Sequence, residues 1–425
     1  MIQTYFKNNP WDKNRGDKEL APLLILFLIW PFGTWLYSLF NANKRSSYVV
    51  FFMFSLLLCW HMAPTGYTDY YDDFLGILDR FNAYYFTDSD IKHQINLYLS
   101  MDKNAPKELY ENILMCFVKG FTHNYHFYFL LCAIPVAYCQ LKSLKRITQD
   151  VRYQPHTIMA IAIMVMFIFP RDIITVQNPR FTTGFWICIL SSLNYFCAEK
   201  KNVFKLLPIL ITPLIHSGMW LYVIIIGLFL LVPKNIRILE IAALCTIPFC
   251  FLDTEMIKGI DLSLFLPENL YSWSLNHFDN TNSSIKVDAR AGFWWVGALF
   301  AIASKIMYIY MVIMMVKNKQ NVNNNTESKN FYPFLLFLLT IVNFIQAVPV
   351  LGERYFWFIK IFTIFVWFKA FYPKHKKVII CLLIVSSWGF LQRYGYIFGG
   401  ALATNTPIDI YFTPLPYLIG KDLFW

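Results

Sequence analysis

Residues 178–220 read NPRFTTGFWICILSSLNYFCAEKKNVFKLLPILITPLIHSGMW, and the organisation of the whole chain follows from this stretch. Asn178, Pro179 and Arg180 open an apolar segment, Lys200, Lys201 and Lys205 form a basic patch behind it, and a second apolar segment arrives at His216, Ser217 and Gly218. Read as two consecutive membrane spans joined by a basic cytoplasmic loop, the stretch holds an arginine and a histidine at the far ends, on one outer face.

Composition supports a membrane reading. Of 425 residues 57% are hydrophobic, 19% aromatic and only 15% charged, with mean hydropathy +0.44, too apolar for an ordinary soluble domain. A net charge of +11 would suggest nucleic acid in a soluble protein. Here most Lys and Arg sit in short patches between apolar runs, as topology signals do, so no nucleic-acid partner is expected. The nine cysteines lie almost all inside apolar runs without a CxxC pair, which argues against disulfides and structural zinc. The polar first twenty residues do not resemble a cleavable signal peptide.

The expected fold is all-α: one polytopic integral membrane domain over residues 1–425, with about 12 transmembrane or re-entrant helices. The candidate segments are 20–40, 48–63, 125–144, 155–170, 182–198, 204–217, 218–232, 238–252, 291–316, 331–349, 355–372 and 378–397. Basic patches at Lys44-Arg45, Lys142 to Arg152, Lys200 to Lys205, Lys234 to Arg237, Lys317 to Lys329 and Lys374 to Lys377 then all face the cytoplasm, and both termini lie outside. The apolar run from Leu206 to Val232 is short for two spans, but Pro208, Pro213 and Gly218 break helix continuity, which favours two short or re-entrant helices meeting at His216. The basic N-terminal segment leaves an alternative, in which it is cytoplasmic and the first run folds back at Pro31-Phe32-Gly33. Two outer loops, 64–124 and 253–290, are long enough to be functional. Each can carry amphipathic helices; Leu109, Ile113, Leu114, Phe117 and Phe121 recur at helical spacing in the first.

In this topology Arg171, Arg180, Arg290, Arg354 and Arg393 gather at the outer ends of spans. Guanidinium is always charged and its planar fork pairs with phosphate oxygens, so several together could hold a diphosphate and stabilise it as a leaving group. The alternative is that each snorkels to headgroups or pairs locally, as Arg171 with Asp172, Arg290 with Asp288 and Arg354 with Glu353. A neutral His216 could donate to phosphate or take a proton from a sugar hydroxyl, whereas His123, Tyr125 and His126 read as an interfacial anchor. The cluster Asp69, Tyr70, Tyr71, Asp72, Asp73 offers paired carboxylates beside sugar-stacking rings, although Asp69 also suits a helix N-cap. There is no phosphate-binding glycine loop and no HExxH, so an ATP-driven pump is not expected.

The order of motifs resembles the EpsG-like, Wzy-type oligosaccharide repeat-unit polymerases. Gly66-Tyr67-Thr68-Asp69-Tyr70 follows the second span, Glu108-Leu-Tyr-Glu111 precedes the third, and Asn178-Pro-Arg180 opens the fifth. Ile215-His216-Ser217-Gly218 and Glu353-Arg354-Tyr355-Phe356 follow in order; Phe181 and Thr182-Thr183-Gly184 depart from the polar-then-small pattern usual after the arginine.

The resemblance implies a bacterial inner-membrane glycosyltransferase with a periplasmic active face, making capsule, exopolysaccharide or O-antigen. Its substrate would be an undecaprenyl-diphosphate-linked oligosaccharide, with no cofactor and no metal. Arg180, Arg354 and Arg290 would bind the diphosphate, His216 would orient it or the acceptor, and Asp69 or Glu353 would serve as base. Arg171, Asn178, Tyr70, Tyr71 and Ser217 would complete the substrate contacts. Membrane lipids, a chain-length regulator and a flippase are the implied partners. Competing readings are another lipid-linked-sugar transferase or ligase, including a metal-dependent one resting on Asp69, Asp72 and Asp73, and a flippase or transporter. A transporter should carry mid-membrane charges and internal pseudo-symmetry.

Overall fold

The computed structural model describes residues 19–61, 77, 79–82, 88–100, 108–172, 178–251, 294–346, 348, 351–396 and 412–423. Among these residues the chain is helical, with no strand. The elements are α1 (Leu20–Ile29), α2 (Pro31–Leu39), α3 (Arg45–Trp60), α4 (Asp88–Leu99), α5 (Tyr110–Lys119), α6 (His126–Thr148), α7 (Ile158–Ile168), α8 (Pro179–Phe196), α9 (Leu207–Ile215), α10 (Trp220–Leu231), α11 (Ile236–Cys245), α12 (Trp294–Lys317), α13 (Lys319–Asn323), α14 (Thr326–Ile345), α15 (Leu351–Phe371), α16 (Lys376–Tyr396) and α17 (Leu415–Leu423). Their starts are set by side-chain caps: Thr157 accepts from the Ala160 amide, Asn178 from Phe181 and Asn325 from Ser328.

Each expected span carries a helix. By length and composition α6, α14 and the Ala298–Lys317 part of α12 are able to cross a membrane, and shorter apolar helices accompany them. The surface agrees. Trp220, Ile224, Leu228 and Leu231 form an exposed stripe along α10, and Leu299, Ile302, Ile306 and Tyr310 form another along α12. Such stripes would be a liability in water and cost little against acyl chains. Helix α15 is the opposite case: from Tyr355 to Lys369 every residue except Lys360 is buried, so this helix lies inside the bundle.

Side-chain pairs fix helix directions. Tyr48 bonds Thr148, and Trp60 stacks on His126, so α3 and α6 are antiparallel. Cys188 meets Thr212 and Phe181 meets His216, so α9 runs back along α8. Ser192 meets Tyr222 and Phe196 meets Phe229, so α10 turns round and runs with α8. Residues 203–231 therefore form a hairpin of two short helices with His216, in extended conformation (φ −150°, ψ 120°), at its tip.

The six basic patches converge on one end of the bundle. Arg146 pairs with Glu327 (2.8 Å), Lys319 with Glu240 (3.0 Å), and Asn330 reaches the Ala198 carbonyl (3.4 Å). Asp150 holds both Arg152 (2.8 Å) and Lys369 (3.0 Å), and Lys369 also pairs with Glu327 (2.8 Å). Burial alone would raise the Asp150 pKa, but the Arg152 hydrogen bonds and the Lys369 charge outweigh it and hold the carboxyl well below its usual range.

One expectation needs correction. The first apolar run is not one span: it breaks at Trp30-Pro31, and Glu19 pairs with Lys44 at the basic end (2.7 Å). The chain at residue 19 thus lies with the basic patches, which is the fold-back alternative and not the outer placement. Phe32 and Trp35 pack on Phe54, partway along α3, and a Cβ at Gly33 would lie 2.2 Å from the Trp30 ring, so the turn needs glycine. In the first outer loop a helix forms where expected, burying Glu111, Met115, Cys116 and Val118 and leaving Phe117 exposed on it and Phe121 just beyond it. The Glu111 carboxylate, held by Arg80 and Arg180, is buried on the same helix as Met115, Cys116 and Val118. The expected amphipathic residues of loop 253–290 lie outside the described residues.

Candidate functional site

At the end of the bundle opposite the basic patches, three elements meet over the tip of the α9–α10 hairpin. The segment leading into α5 is laid across it: the Leu109 amide donates to the Leu214 carbonyl (3.0 Å). Helix α8 brings Arg180 in its first turn, where Pro179 tolerates a missing donor and Asn178 caps the helix. Helix α15 brings Tyr355, whose hydroxyl donates to the Gly218 carbonyl (2.7 Å).

Glu108 and Glu111 join these elements. An i, i+3 spacing puts both carboxylates on one side of the chain as it enters the helix. Arg180 reaches both, with Nη1 2.9 Å from Glu108 Oε2 and Nε 2.7 Å from Glu111 Oε2. Glu111 is also held by Arg80 (2.8 Å). Burial raises the Glu111 pKa, opposed by the Arg180 and Arg80 charges. The other oxygen of Glu108 accepts from the Ser217 amide (2.9 Å) and hydroxyl (3.0 Å). The same oxygen, Glu108 Oε1, lies 3.9 Å from His216 Nε2, beyond hydrogen-bond length.

The imidazole is set by its own backbone. His216 Nδ1 accepts the Gly218 amide (3.0 Å), which assigns the proton of the neutral ring to Nε2. His216 is therefore arranged as a donor towards Glu108 and the space beside it. A Cβ on Gly218 would sit 2.9 Å from the His216 Cε1 atom, so the glycine leaves room for this ring orientation.

Phe181 is the hub of the floor. His216 stands edge-on to its ring (5.2 Å), as does Trp357 (5.7 Å). The guanidinium groups of Arg171 and Arg354 each lie 5.1 Å from the same ring centre, and Arg171 is also 4.7 Å from the Trp357 ring. Arg171 Nε donates to Thr182 Oγ1 (3.0 Å) while its carbonyl accepts Trp186 Nε1 (2.7 Å), so this side chain is firmly placed. The guanidinium groups of Arg80, Arg171, Arg180 and Arg354 thus stand together with Glu108, Glu111 and the His216 imidazole at one end of the bundle.

Of the residues singled out in the sequence, Arg171, Arg180, Arg354, His216 and Ser217 come together. Asn178 is close by as a helix cap, and Glu353 is exposed in the first turn of α15. Asp69, Tyr70, Tyr71 and Arg290 lie outside the described residues, as does the side chain of Arg393. His126, whose Nδ1 bonds the Trp60 carbonyl, serves as an anchor for α6. Glu108, Glu111 and Phe181 were visible as motif residues without a role; their spacing and the departure at Phe181 were the available signals.

The profile of the EpsG family matches residues 44–400. The chain belongs to the EpsG family. It is accordingly a polysaccharide polymerase-like, multi-pass membrane protein of the glycosyltransferase type. No curated protein and no solved structure matches it.

Proposed function

We propose that this EpsG-family protein polymerises undecaprenyl-diphosphate-linked oligosaccharide repeat units at the outer leaflet of the bacterial inner membrane. The observation that carries the proposal is the meeting of Arg171, Arg180 and Arg354 with His216 and Glu108 around one aromatic floor. The end carrying them is opposite the basic patches, and the positive-inside bias assigns that end to the outside.

In the reaction, a hydroxyl oxygen of the acceptor's terminal sugar bonds to the donor's anomeric carbon as the bond from that carbon to the diphosphate oxygen breaks. The electron pair leaves with undecaprenyl diphosphate, and the hydroxyl proton passes to a carboxylate. Arg171 and Arg354, on the shared Phe181 ring, stabilise the charge growing on the leaving diphosphate, and His216 Nε2–H donates to one of its oxygens. Glu108, oriented by Arg180 and Ser217, takes the proton. Arg180 is thereby a positioning residue and not the main diphosphate ligand. No nucleotide or metal enters the balance.

The test is product length made by membranes given lipid-linked repeat units. Arg354→Ala and Arg180→Ala should each lose chain extension by about a hundredfold or more while inserting normally. Wild-type product length in Arg354→Ala would remove the leaving-group role.

A further inference from the structure

At the basic end, far from this site, α3 and α6 leave a groove of about 270 Å³ between them. Its walls are two facing stripes at i, i+3, i+4, i+7 spacing: Arg45, Tyr48, Val49 and Phe52 on α3, and Tyr138, Leu141, Lys142 and Lys145 on α6. Because the helices are antiparallel, Arg45 at the start of α3 and Lys142 and Lys145 near the end of α6 stand together at the mouth. Val49, Phe52, Tyr138 and Leu141 lie further from the bundle end. None of the eight lining residues is acidic.

We propose that this groove is a binding site for an anionic phospholipid of the leaflet on the basic side, with its phosphate among Arg45, Lys142 and Lys145 and the start of an acyl chain along Val49, Phe52 and Leu141. The polarity gradient of the groove follows that of the lipid: charge at the interface, hydrocarbon below. Charge complementarity selects an anionic headgroup over a zwitterionic one, because three of the lining residues are cationic. Lys142 lies over the Tyr138 ring (5.5 Å), where the charged and apolar parts of the groove meet. The site needs only the membrane setting of the chain and is independent of the reaction proposed above.

The experiment uses the full-length protein, purified in mild detergent and equilibrated with equal amounts of phosphatidylglycerol and phosphatidylcholine. Co-purifying lipid is quantified by mass spectrometry. Wild-type protein should retain phosphatidylglycerol preferentially. Arg45→Gln with Lys142→Gln, both at exposed positions, should cut that preference by roughly fivefold for each cation removed and leave phosphatidylcholine unchanged. Leu141→Trp, which fills the apolar part and keeps every cation, should also lower phosphatidylglycerol retention. Thermal unfolding of each variant checks that it is folded. Equal retention of the two lipids by wild type, or undiminished preference in a folded double variant, overturns the proposal. Undiminished preference in folded Leu141→Trp overturns it too, because the cations would then be gripping phosphate without the chain.

Discussion

The two ends of the bundle both carry charged clusters, and they are built differently. At the basic end, the carboxylates of Asp150 and Glu327 are shared among Arg146, Arg152 and Lys369, which come from or just beyond the ends of long helices. Acids and bases there alternate, and the network ties α6, α14 and α15 together. At the other end, Glu108 and Glu111 hold Arg180, while Arg171 and Arg354 lie against aromatic rings and an imidazole points an N–H the same way. This end is assembled from a helix hairpin tip, a loop-borne segment and two helix starts. The first cluster joins acids and bases from long helices; the second sets its guanidinium groups against aromatic rings as well as carboxylates.

This contrast can be broken by substitutions at each end. The largest effect is expected from Glu108→Gln, which keeps the shape but loses the proton acceptor. Turnover should fall about a hundredfold with unaltered protein level, and a near-normal rate would assign the proton to another carboxylate. Arg180→Lys sharpens the same point: an ammonium cannot span Glu108 and Glu111 as a guanidinium fork does, so about a tenfold loss is expected in the same assay. Lys369→Met addresses the basic end. It leaves Asp150 and Glu327 short of a largely buried cation (6% exposed), which should cost about 3 kcal/mol, read as a lower melting temperature in detergent. Polymer length from the surviving folded protein should be unchanged; a shortened product would mean that the two ends are coupled.

The smallest effect is one of pH. The Asp150 carboxyl has a depressed pKa in the folded state, so its contribution is complete above the ordinary carboxylate range and is lost only as pH falls through the lower folded value. The stability difference between wild type and Asp150→Asn should therefore be constant from about pH 5 to pH 8 and shrink only in stronger acid. A difference that already varies near neutrality would show that another group controls this cluster.

Much of the site was legible because its parts lie at sequence positions that local rules can read. Pro208, Pro213 and Gly218 forecast the break at His216, and alternating basic patches put Arg180 and His216 at one end. Pro31 and Gly33 likewise marked a turn, yet the sequence left open which side the chain before it occupied; the Glu19–Lys44 pair is a contact between elements that no local rule contains. Glu108 and Glu111 were harder for the same reason. Their partners lie about 30 to 110 residues away, and the Leu109 backbone folded over the hairpin helps bring them together. Phe181 looked like a departure from a pattern because its value comes from what surrounds it, two guanidinium groups, an imidazole and an indole, each from a different part of the chain.

The hairpin tip is tethered chiefly through its main chain. The Leu214 carbonyl, the Ser217 amide and the Gly218 carbonyl each bond a different neighbour's atom, and none of these three moorings is removed when a tip side chain is exchanged. Exchanging the side chains of His216 and Ser217 would thus keep this main-chain anchorage while the chemistry on display is varied, whereas losses at buried Ile215 and Met219 or at close-packed Gly218 would report on architecture.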